Sequence, residues 1–160
     1  MKTILLTRGM TALVSDEDYL LLPTLKWFAK AGNGNKFYAY SNRFGNLGRY
    51  LLNTPSDMIV DHKDGNTLNY QRNNIRNCTW AQNMQNQVRT GEGYKGVYIN
   101  KRGLLVSYTS YITHNSKQIY LGCFDTETEA AKAYNEAAIK YFGEFANINI
   151  IKEVYDKDEN

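Results

Sequence analysis

The chain has 160 residues, of which 42% are hydrophobic and 22% charged, and its formal net charge is +3 at pH 7. These values are ordinary for a globular protein, and so small a net charge does not by itself indicate a nucleic-acid-binding protein. The apolar runs are shorter than the ~18 residues of a membrane span, the N-terminus lacks the apolar region of a signal peptide, and the two cysteines and two histidines lack zinc-ligand spacing.

Residues 1–57 predict a β-rich extension with short strands and one short helix. The predicted strands cover residues 4–6, 12–14, 26–28 and 37–40. Ser15 is placed to cap a helix that ends near Pro23, and the Gly- and Asn-rich residues 32–35 predict a hairpin turn. This extension either contacts DNA or serves as a scaffold that packs on the segment after it.

The next segment predicts strand, loop, strand and helix. The apolar residues 58–60 predict a strand that delivers Asp61 and His62 to its end. Residues 63–73 are rich in Asp, Asn and Gly and predict a compact loop, and residues 74–78 predict a returning strand. Asp61 and His62 would then lie where a buried strand meets a loop.

A helix follows, because Thr79 and Gln82 have the spacing of a capping box. Asn83 falls in its first turn, on the same face as Asn86 and Gln87. This arrangement would bring Asn83 to the end of the first strand, near the carboxylate and the histidine described above.

These three side chains suggest a site for phosphate hydrolysis. The carboxylate and amide oxygens of Asp61 and Asn83 suit magnesium or manganese, and His62 has the unperturbed pKa closest to pH 7. The alternative is a simple turn, in which Asp61 caps its own backbone and His62 is a partly exposed surface residue.

Residues 60–69, 73–79 and 82–83 resemble the HNH endonucleases of phage and intron homing enzymes. That family folds this segment as a ββα-metal motif. The resemblance implies Asp61 and Asn83 as ligands of Mg²⁺ (or Mn²⁺) and His62 as general base.

The resemblance also implies that Asn74 is the central Asn of the pattern, which hydrogen-bonds the loop and thereby aims His62. The last His of the family name is Asn83 here, a variant that the homing branch often carries. Upstream, many relatives have His-Arg where this chain has Gly48-Arg49, so a second histidine is absent at that place.

The C-terminal third predicts a small sheet and one helix. The predicted strands cover residues 95–99, 104–112 and 118–122, joined by turns at 101–103 and 113–117. Thr126 and Glu129 form a second capping box, and Gly143 is placed to end the helix. One face of this helix carries small and aromatic residues at Ala130, Tyr134, Ala137, Ala138 and Tyr141.

Residues 95–98, 120–138 and 141–149 resemble the plant ethylene-response-factor (Apetala-type) DNA-binding domain. In that family the three-stranded sheet lies in the major groove of DNA. The family's usual Trp-Arg-Ala on the second strand is replaced by residues 105–107, and Lys101, Arg102, Tyr108 and Ser110 are the candidates to compensate. We expect Tyr98, Tyr108 and Tyr111 on the outer face.

Two runs, 65–91 and 93–124, contain three and four basic residues and no acids. Most charge runs are solvated faces, but two such runs, one of which overlaps the candidate site, favour a surface that faces phosphate. The candidate DNA contacts are Arg43, Arg49, Arg72, Arg76, Arg89, Lys95, Tyr98, Lys101, Arg102, Tyr108, Ser110 and Lys117.

The sequence therefore predicts an α+β protein, with a ββα-metal HNH nuclease module and a three-stranded antiparallel sheet packed on one helix. The predicted domains are an extension at 1–57, the HNH core at 58–88, a linker at 89–93, the Apetala-type domain at 94–150 and an acidic tail at 151–160.

The predicted function is a site-specific DNA endonuclease of the homing type that leaves 5′-phosphate and 3′-hydroxyl ends. The alternatives are a non-catalytic DNA-binding regulator with a relic HNH motif, and a packaging or restriction-type nuclease with little specificity. We expect duplex DNA as partner, no membrane, and a phage-encoded monomer in the cytoplasm of a bacterial host.

Overall fold

The computed structural model describes residues 1–22, 26–87 and 91–151. It divides the chain into two compact units, Met1–Asn86 and Gln87–Asn160. The end of the first helix near Pro23, the candidate Arg89, part of the linker and the acidic tail after Ile151 lie outside the described residues. None of the helices that are described is both long and apolar enough to cross a membrane.

The first unit contains eight short strands and three short helices in the described residues. The strands are β1 (Lys2–Leu5), β2 (Thr11–Val14), β3 (Phe28–Ala31), β4 (Phe37–Ser41), β5 (Gly45–Asn46), β6 (Ile59–His62), β7 (Asn69–Tyr70) and β8 (Ile75–Cys78). The helices are α1 (Asp16–Leu21), α2 (Leu47–Leu52) and α3 (Trp80–Asn86). The sequence patterns did not indicate β5, α2 or β7.

The strands of this unit form three small sheets. β1, β2 and β7 form the first, in which β1 and β2 are antiparallel and β2 and β7 parallel. β3, β4 and β5 form the second, and the antiparallel pair β6 and β8 forms the third. The core between these elements consists of Leu6, Ala12, Val14, Trp27, Ala29, Ala39, Leu47, Tyr70 and Ile75.

The predicted N-terminal elements are present with shifted boundaries. The hairpin of β3 and β4 forms as predicted, with Ala31 opposite Phe37. Ser15 precedes α1, but the prediction that its side chain caps the helix is wrong. The Ser15 hydroxyl instead accepts a hydrogen bond from the backbone N–H of Arg72, at 2.9 Å, and so ties α1 to the turn before β8.

The second unit is an antiparallel sheet covered on one face by a helix, as predicted. Its strands are β9 (Val97–Arg102), β10 (Leu105–His114) and β11 (Lys117–Phe124), with β10 in the centre. The strands are longer than predicted, because Asn115 and Ser116 adopt positive φ and close the second hairpin with only two residues. Such a two-residue turn suits the right-handed twist of adjacent strands.

The helix of this unit, α4, spans Glu127–Phe142 and packs against β10 and β11. Both hydrogen bonds of the predicted capping box between Thr126 and Glu129 are present, and the helix ends at Gly143, whose φ is +53°. The buried residues of α4 are Ala130, Ala131, Tyr134, Ala137, Ala138 and Phe142, whereas Tyr141 is half-buried. At Gly96 a Cβ atom would collide with the Tyr134 ring, so glycine is required for this close approach.

Candidate active site

Asp61 and His62 are the last two residues of β6, and both are buried, with 3% and 6% of their surface exposed. They lie opposite Arg76 and Ile75 of β8. Burial of a carboxylate next to an imidazole at a strand end is unusual, because a charged group is costly to bury unless it is paired.

The Asp61 carboxylate is paired through both oxygens. Its Oδ2 atom accepts hydrogen bonds from Nε of Arg76 at 2.8 Å and lies 2.8 Å from Nη2 of the same guanidinium. Its Oδ1 atom accepts from Nδ2 of Asn86, also at 2.8 Å. Arg76 comes from β8 and Asn86 from α3, so the carboxylate joins all three parts of the β6–β8–α3 motif.

His62 lies among aromatic side chains. Its ring meets the Tyr70 ring edge-on, with 5.1 Å between centroids, and lies 6.3 Å from the Tyr38 ring. Burial lowers the pKa of His62 to about 4, although Asp64 and Asp61 favour the charged form. The imidazole is therefore neutral at pH 7, the state that a general base requires. Nε2 is buried and has no hydrogen-bond partner among the described residues.

Asn74 fixes the loop that follows His62. Its Nδ2 atom donates to Oδ1 of Asp64 at 2.9 Å and to the carbonyl of Asn69 at 2.8 Å. Its Oδ1 atom accepts from the backbone N–H of Asp64 at 3.1 Å, and its carbonyl accepts from the N–H of Lys63. These contacts are of the kind that the HNH resemblance implies for Asn74.

Asp64 is the centre of this loop. Its carboxylate also accepts hydrogen bonds from Nδ2 of Asn69 and from the backbone N–H of Asn66, each at 2.8 Å. Burial acts to raise the pKa of Asp64, but hydrogen bonds from Asn69, Asn74 and Asn66 outweigh it, so this pKa lies below its ordinary value. The loop therefore holds a charged carboxylate three residues after Asp61.

Asn83 lies in the first turn of α3, as predicted. The capping box is present: the N–H of Thr79 donates to Gln82 at 2.8 Å, and the N–H of Gln82 donates to the Thr79 hydroxyl at 3.3 Å. Asn83 itself is half-buried. The direct side-chain contact from α3 to Asp61 is made by Asn86, one turn later, a role that the sequence did not reveal although the spacing placed both on one face.

The predicted ligands are of the kind that a hard divalent cation takes. Asp61 and Asn83 offer oxygen atoms, and Mg²⁺ typically takes one or two carboxylates and keeps several waters. No group of three His, Cys, Asp or Glu side chains suited to a metal occurs in the described residues. Burial raises the pKa of the nearby Cys78 to about 11, so without a metal its thiol is protonated at neutral pH.

The structure also accounts for the missing upstream histidine. Gly48 is buried in α2, and a Cβ atom there would lie 2.9 Å from Cγ1 of Val60 and 3.3 Å from the Tyr70 ring. A histidine side chain would require Val60 of β6 and Tyr70 of β7 to shift.

Three of the arginines predicted to contact DNA are engaged within the first unit. The Arg49 guanidinium donates to the carbonyls of Met58, Thr54 and Pro55, at 2.7–3.1 Å. Arg72 forms a two-pronged contact with the buried Asp18, and Arg76 pairs with Asp61. Arg43 is exposed and lies over the Phe44 ring, which leaves it available to a partner.

In the second unit, an aromatic cluster lies on the sheet. The rings of Tyr98, Tyr111 and Tyr120 form a chain with centroids 5.8 and 5.5 Å apart. Tyr98 and Tyr120 are exposed. Arg102 belongs to the same face as Tyr98, because alternate residues of a strand share a face, whereas Lys101 belongs to the opposite face.

Two predicted contacts need correction. Tyr108 packs with Val97 and Phe124 against α4, and Ser110 is completely buried, so neither side chain lies on the outer face of the sheet. Lys95 is half-buried, with its ammonium donating to the carbonyl of Gln87 at 2.7 Å and its pKa lowered by burial. Lys117 is exposed at the end of the second hairpin.

Comparison with known proteins finds an HNH family model and plant relatives. A family model described as HNH endonuclease matches residues 53–85. The plant protein TOE2 of Arabidopsis thaliana, an AP2-like ethylene-responsive transcription factor, is 42% identical over 65 residues, which are 41% of this chain and 13% of the plant protein. APETALA2-like protein 2 of rice (Oryza sativa subsp. indica) is 43% identical over 65 residues, or 41% and 14% of the two chains. No solved structure matches.

One relative aligns with nearly the whole chain. An uncharacterized HNH endonuclease of Acanthamoeba polyphaga mimivirus, L560, is 34% identical over 154 residues, which are 90% of this chain and 77% of the relative. The matched region includes the strand end of Asp61 and His62. On this extent of similarity, the chain belongs to the HNH endonuclease family.

Proposed function

We propose that this protein is a site-specific DNA endonuclease of the homing type, which hydrolyses a phosphodiester bond of duplex DNA. The observation that carries the proposal is a neutral, buried His62 whose Nε2 atom is unpartnered within the described structure, beside a buried Asp61. A neutral imidazole can accept a proton, as general-base hydrolysis requires.

His62 acts as the base. It accepts a proton at Nε2 from a water molecule while the water oxygen forms a bond to phosphorus and the bond from phosphorus to the 3′ oxygen breaks. The leaving oxygen gains a proton from solvent, which gives 5′-phosphate and 3′-hydroxyl ends. Asn74 maintains the loop directly after His62 and so keeps the ring in place.

Asp61 and Asn83 would hold one Mg²⁺ or Mn²⁺ ion. Bound there, the cation would stabilise negative charge on the phosphate oxygens in the transition state. Because His62 supplies the base, one cation suffices. Arg76 adds a fixed positive charge at the same place, next to Asp61.

The second unit supplies DNA binding in this proposal. Its outer face carries Tyr98, Tyr111 and Tyr120 together with Arg102, a combination of aromatic and cationic groups that suits nucleic acid. The plant relative TOE2 is named a transcription factor. A monomer encoded by a phage and acting in the cytoplasm of a bacterial host remains part of the proposal.

The second candidate is a DNA-binding regulator without nuclease activity, which the similarity to a plant transcription factor favours. Supercoiled plasmid incubated with the purified protein in Mg²⁺, in Mn²⁺ and in chelator separates the two functions. The nuclease converts plasmid to nicked or linear DNA only with a divalent cation, and His62→Ala does not. If the plasmid stays supercoiled in every condition while gel shifts show DNA binding, the protein is a regulator without nuclease activity.

A further inference from the structure

We propose that Asn86 is a positioning residue, which orients the Asp61 carboxylate for the divalent cation and fixes the backbone of His62. This inference rests on the proposed function, because it assigns Asn86 a part in the same site. Neither the sequence patterns nor the matched family region, residues 53–85, includes this residue in the site.

The contacts define the orientation of the Asn86 amide. Nδ2 donates to Oδ1 of Asp61 at 2.8 Å and to the carbonyl oxygen of His62 at 3.2 Å. Both partners can only accept hydrogen bonds, so the NH₂ group of the amide must face β6. One side chain thus holds the proposed metal ligand and the main chain of the proposed base.

Asn86 differs from Arg76 in the charge that it brings. Arg76 holds Oδ2 of Asp61 with a full positive charge, which competes with a cation for the carboxylate. Asn86 holds Oδ1 without a charge. The terminal torsion of an aspartate is soft, and contacts on both oxygens fix the plane of the carboxylate. A neutral partner can do so and still leave that oxygen's remaining lone pair attractive to a cation.

The same contact sets the place of Asn83. None of the seven residues of α3 is buried, so apolar packing attaches this helix only weakly to β6. Asn83 and Asn86 are three residues apart and share a helix face. The hydrogen bonds of Asn86 therefore bring the face that carries Asn83 toward Asp61.

The test uses full-length variants and Mn²⁺ binding measured by electron paramagnetic resonance without DNA. Asn86→Ala should weaken Mn²⁺ binding by about 10–100-fold, the usual cost of losing a partner of a metal ligand. The Mn²⁺ concentration for half-maximal plasmid cleavage should rise by a similar factor. DNA affinity in chelator should stay within about threefold of wild type, since direct metal-independent contacts to DNA are untouched.

Gln82→Ala is the matched control. It removes one of the two hydrogen bonds of the α3 capping box, the one from the N–H of Thr79 to the Gln82 side chain, and so weakens the helix without touching Asp61. We expect Gln82→Ala to lower the melting temperature yet leave Mn²⁺ affinity within about threefold of wild type, because the cap is not a partner of the ligand. Equal loss of Mn²⁺ affinity in both variants would overturn the positioning role, because Asn86 would then only stabilise the helix.

Asn86→Asp keeps the size of the side chain and tests the contact even if the alanine variant does not fold. It places a carboxylate against Oδ1 of Asp61, so the variant should melt at a lower temperature than wild type in chelator. Mn²⁺ should raise the melting temperature of the variant more than that of the wild type. A wild-type melting temperature in chelator would refute the contact. If the wild type neither binds Mn²⁺ nor cuts DNA, both the proposed function and the positioning role are refuted. If the wild type cuts DNA and Asn86→Ala has the same Mn²⁺ affinity and cleavage as wild type, only the positioning role is refuted.

Discussion

Replacing Arg76 by alanine tests whether the charge of Asp61 is balanced as the structure indicates. The side chains of this pair are 11% and 4% exposed, so solvent screens the pair weakly. Removing one partner of a buried ion pair costs about 3–5 kcal/mol, because the other charge stays buried without compensation. The hydrogen bond from Asn86 remains, and we therefore expect the lower end, about 3 kcal/mol of unfolding free energy in chelator.

A divalent cation should restore much of that loss. Ligand binding to the folded state adds about 2.7 kcal/mol at a free concentration 100 times the dissociation constant. Arg76→Ala should also bind Mn²⁺ more tightly than wild type, because a competing positive charge is gone. Urea unfolding followed by tryptophan fluorescence measures both effects, since Trp27 is 4% exposed in the core of the same unit.

Arg72→Ala is the control for this experiment. Arg72 pairs with Asp18, which is 1% exposed, at 2.7 Å. The variant should lose stability for the same reason, although Arg72 is itself 44% exposed and its loss is expected to be smaller. Mn²⁺ should raise the unfolding free energy of Arg72→Ala by no more than it raises that of the wild type. The reasoning fails if Arg76→Ala loses less than about 1 kcal/mol in chelator, or if Mn²⁺ stabilises it no more than it stabilises Arg72→Ala.

Three further predictions concern activity and DNA binding. Asp61→Ala and Asn83→Ala should abolish plasmid cleavage yet retain DNA affinity in gel shifts, and wild-type cleavage that persists in chelator would contradict the metal assignment. His62→Ala should keep its Mn²⁺ affinity and lose on the order of 10²–10⁴ in single-turnover rate, the usual contribution of a positioned base; a loss of only a few-fold would mean another base. Arg102→Ala should reduce the slope of log binding constant against log salt concentration by about one unit, whereas Lys101→Ala, on the opposite face, should leave it unchanged. Equal slopes for the two variants would argue against the outer face as the DNA surface.

Local patterns predicted most of the motif around the site. The apolar residues before Asp61, the turn-forming loop and the capping box of Thr79 each depend on neighbours within a few positions. Such patterns are visible in one sequence because a strand, a turn and a helix start have short-range physical causes. The strand–loop–strand–helix order and the place of Asn83 in the first turn followed from them.

Long-range partners were not predictable in this way. Arg76 was predicted to contact DNA because it lies in an acid-free run, whereas the register of β6 and β8 sets it opposite Asp61. Arg72 meets Asp18 across 54 positions. Arg49 donates to carbonyls of the turn before β6. A charge run records which basic residues lack acids nearby in sequence, and folding brings the acids from elsewhere.

The faces of the sheet on which the tyrosines lie could be predicted only in part from the sequence. Tyr108 and Tyr111 are three positions apart on β10, and the period of two in a strand puts them on opposite faces. That much was available from the sequence. The position of Tyr120 next to Tyr111 could not be predicted from the sequence. It depends on a shift in the register of β10 and β11 between Ser110 and Tyr111.

The proposed site would hold its cation with Asp61 as its one carboxylate. A second acid next to Asp61 would raise cation affinity, but two buried carboxylates repel each other when no cation is bound. Here Arg76 neutralises Asp61 in the absence of a cation, and Asn86 holds the other oxygen without charge. The carboxylate is thereby paired and oriented in a buried position, which lowers its affinity for a cation. Such a site should bind its cation weakly in the free protein. It should bind the cation more tightly when DNA is present, because a DNA phosphate would contact both Arg76 and the cation.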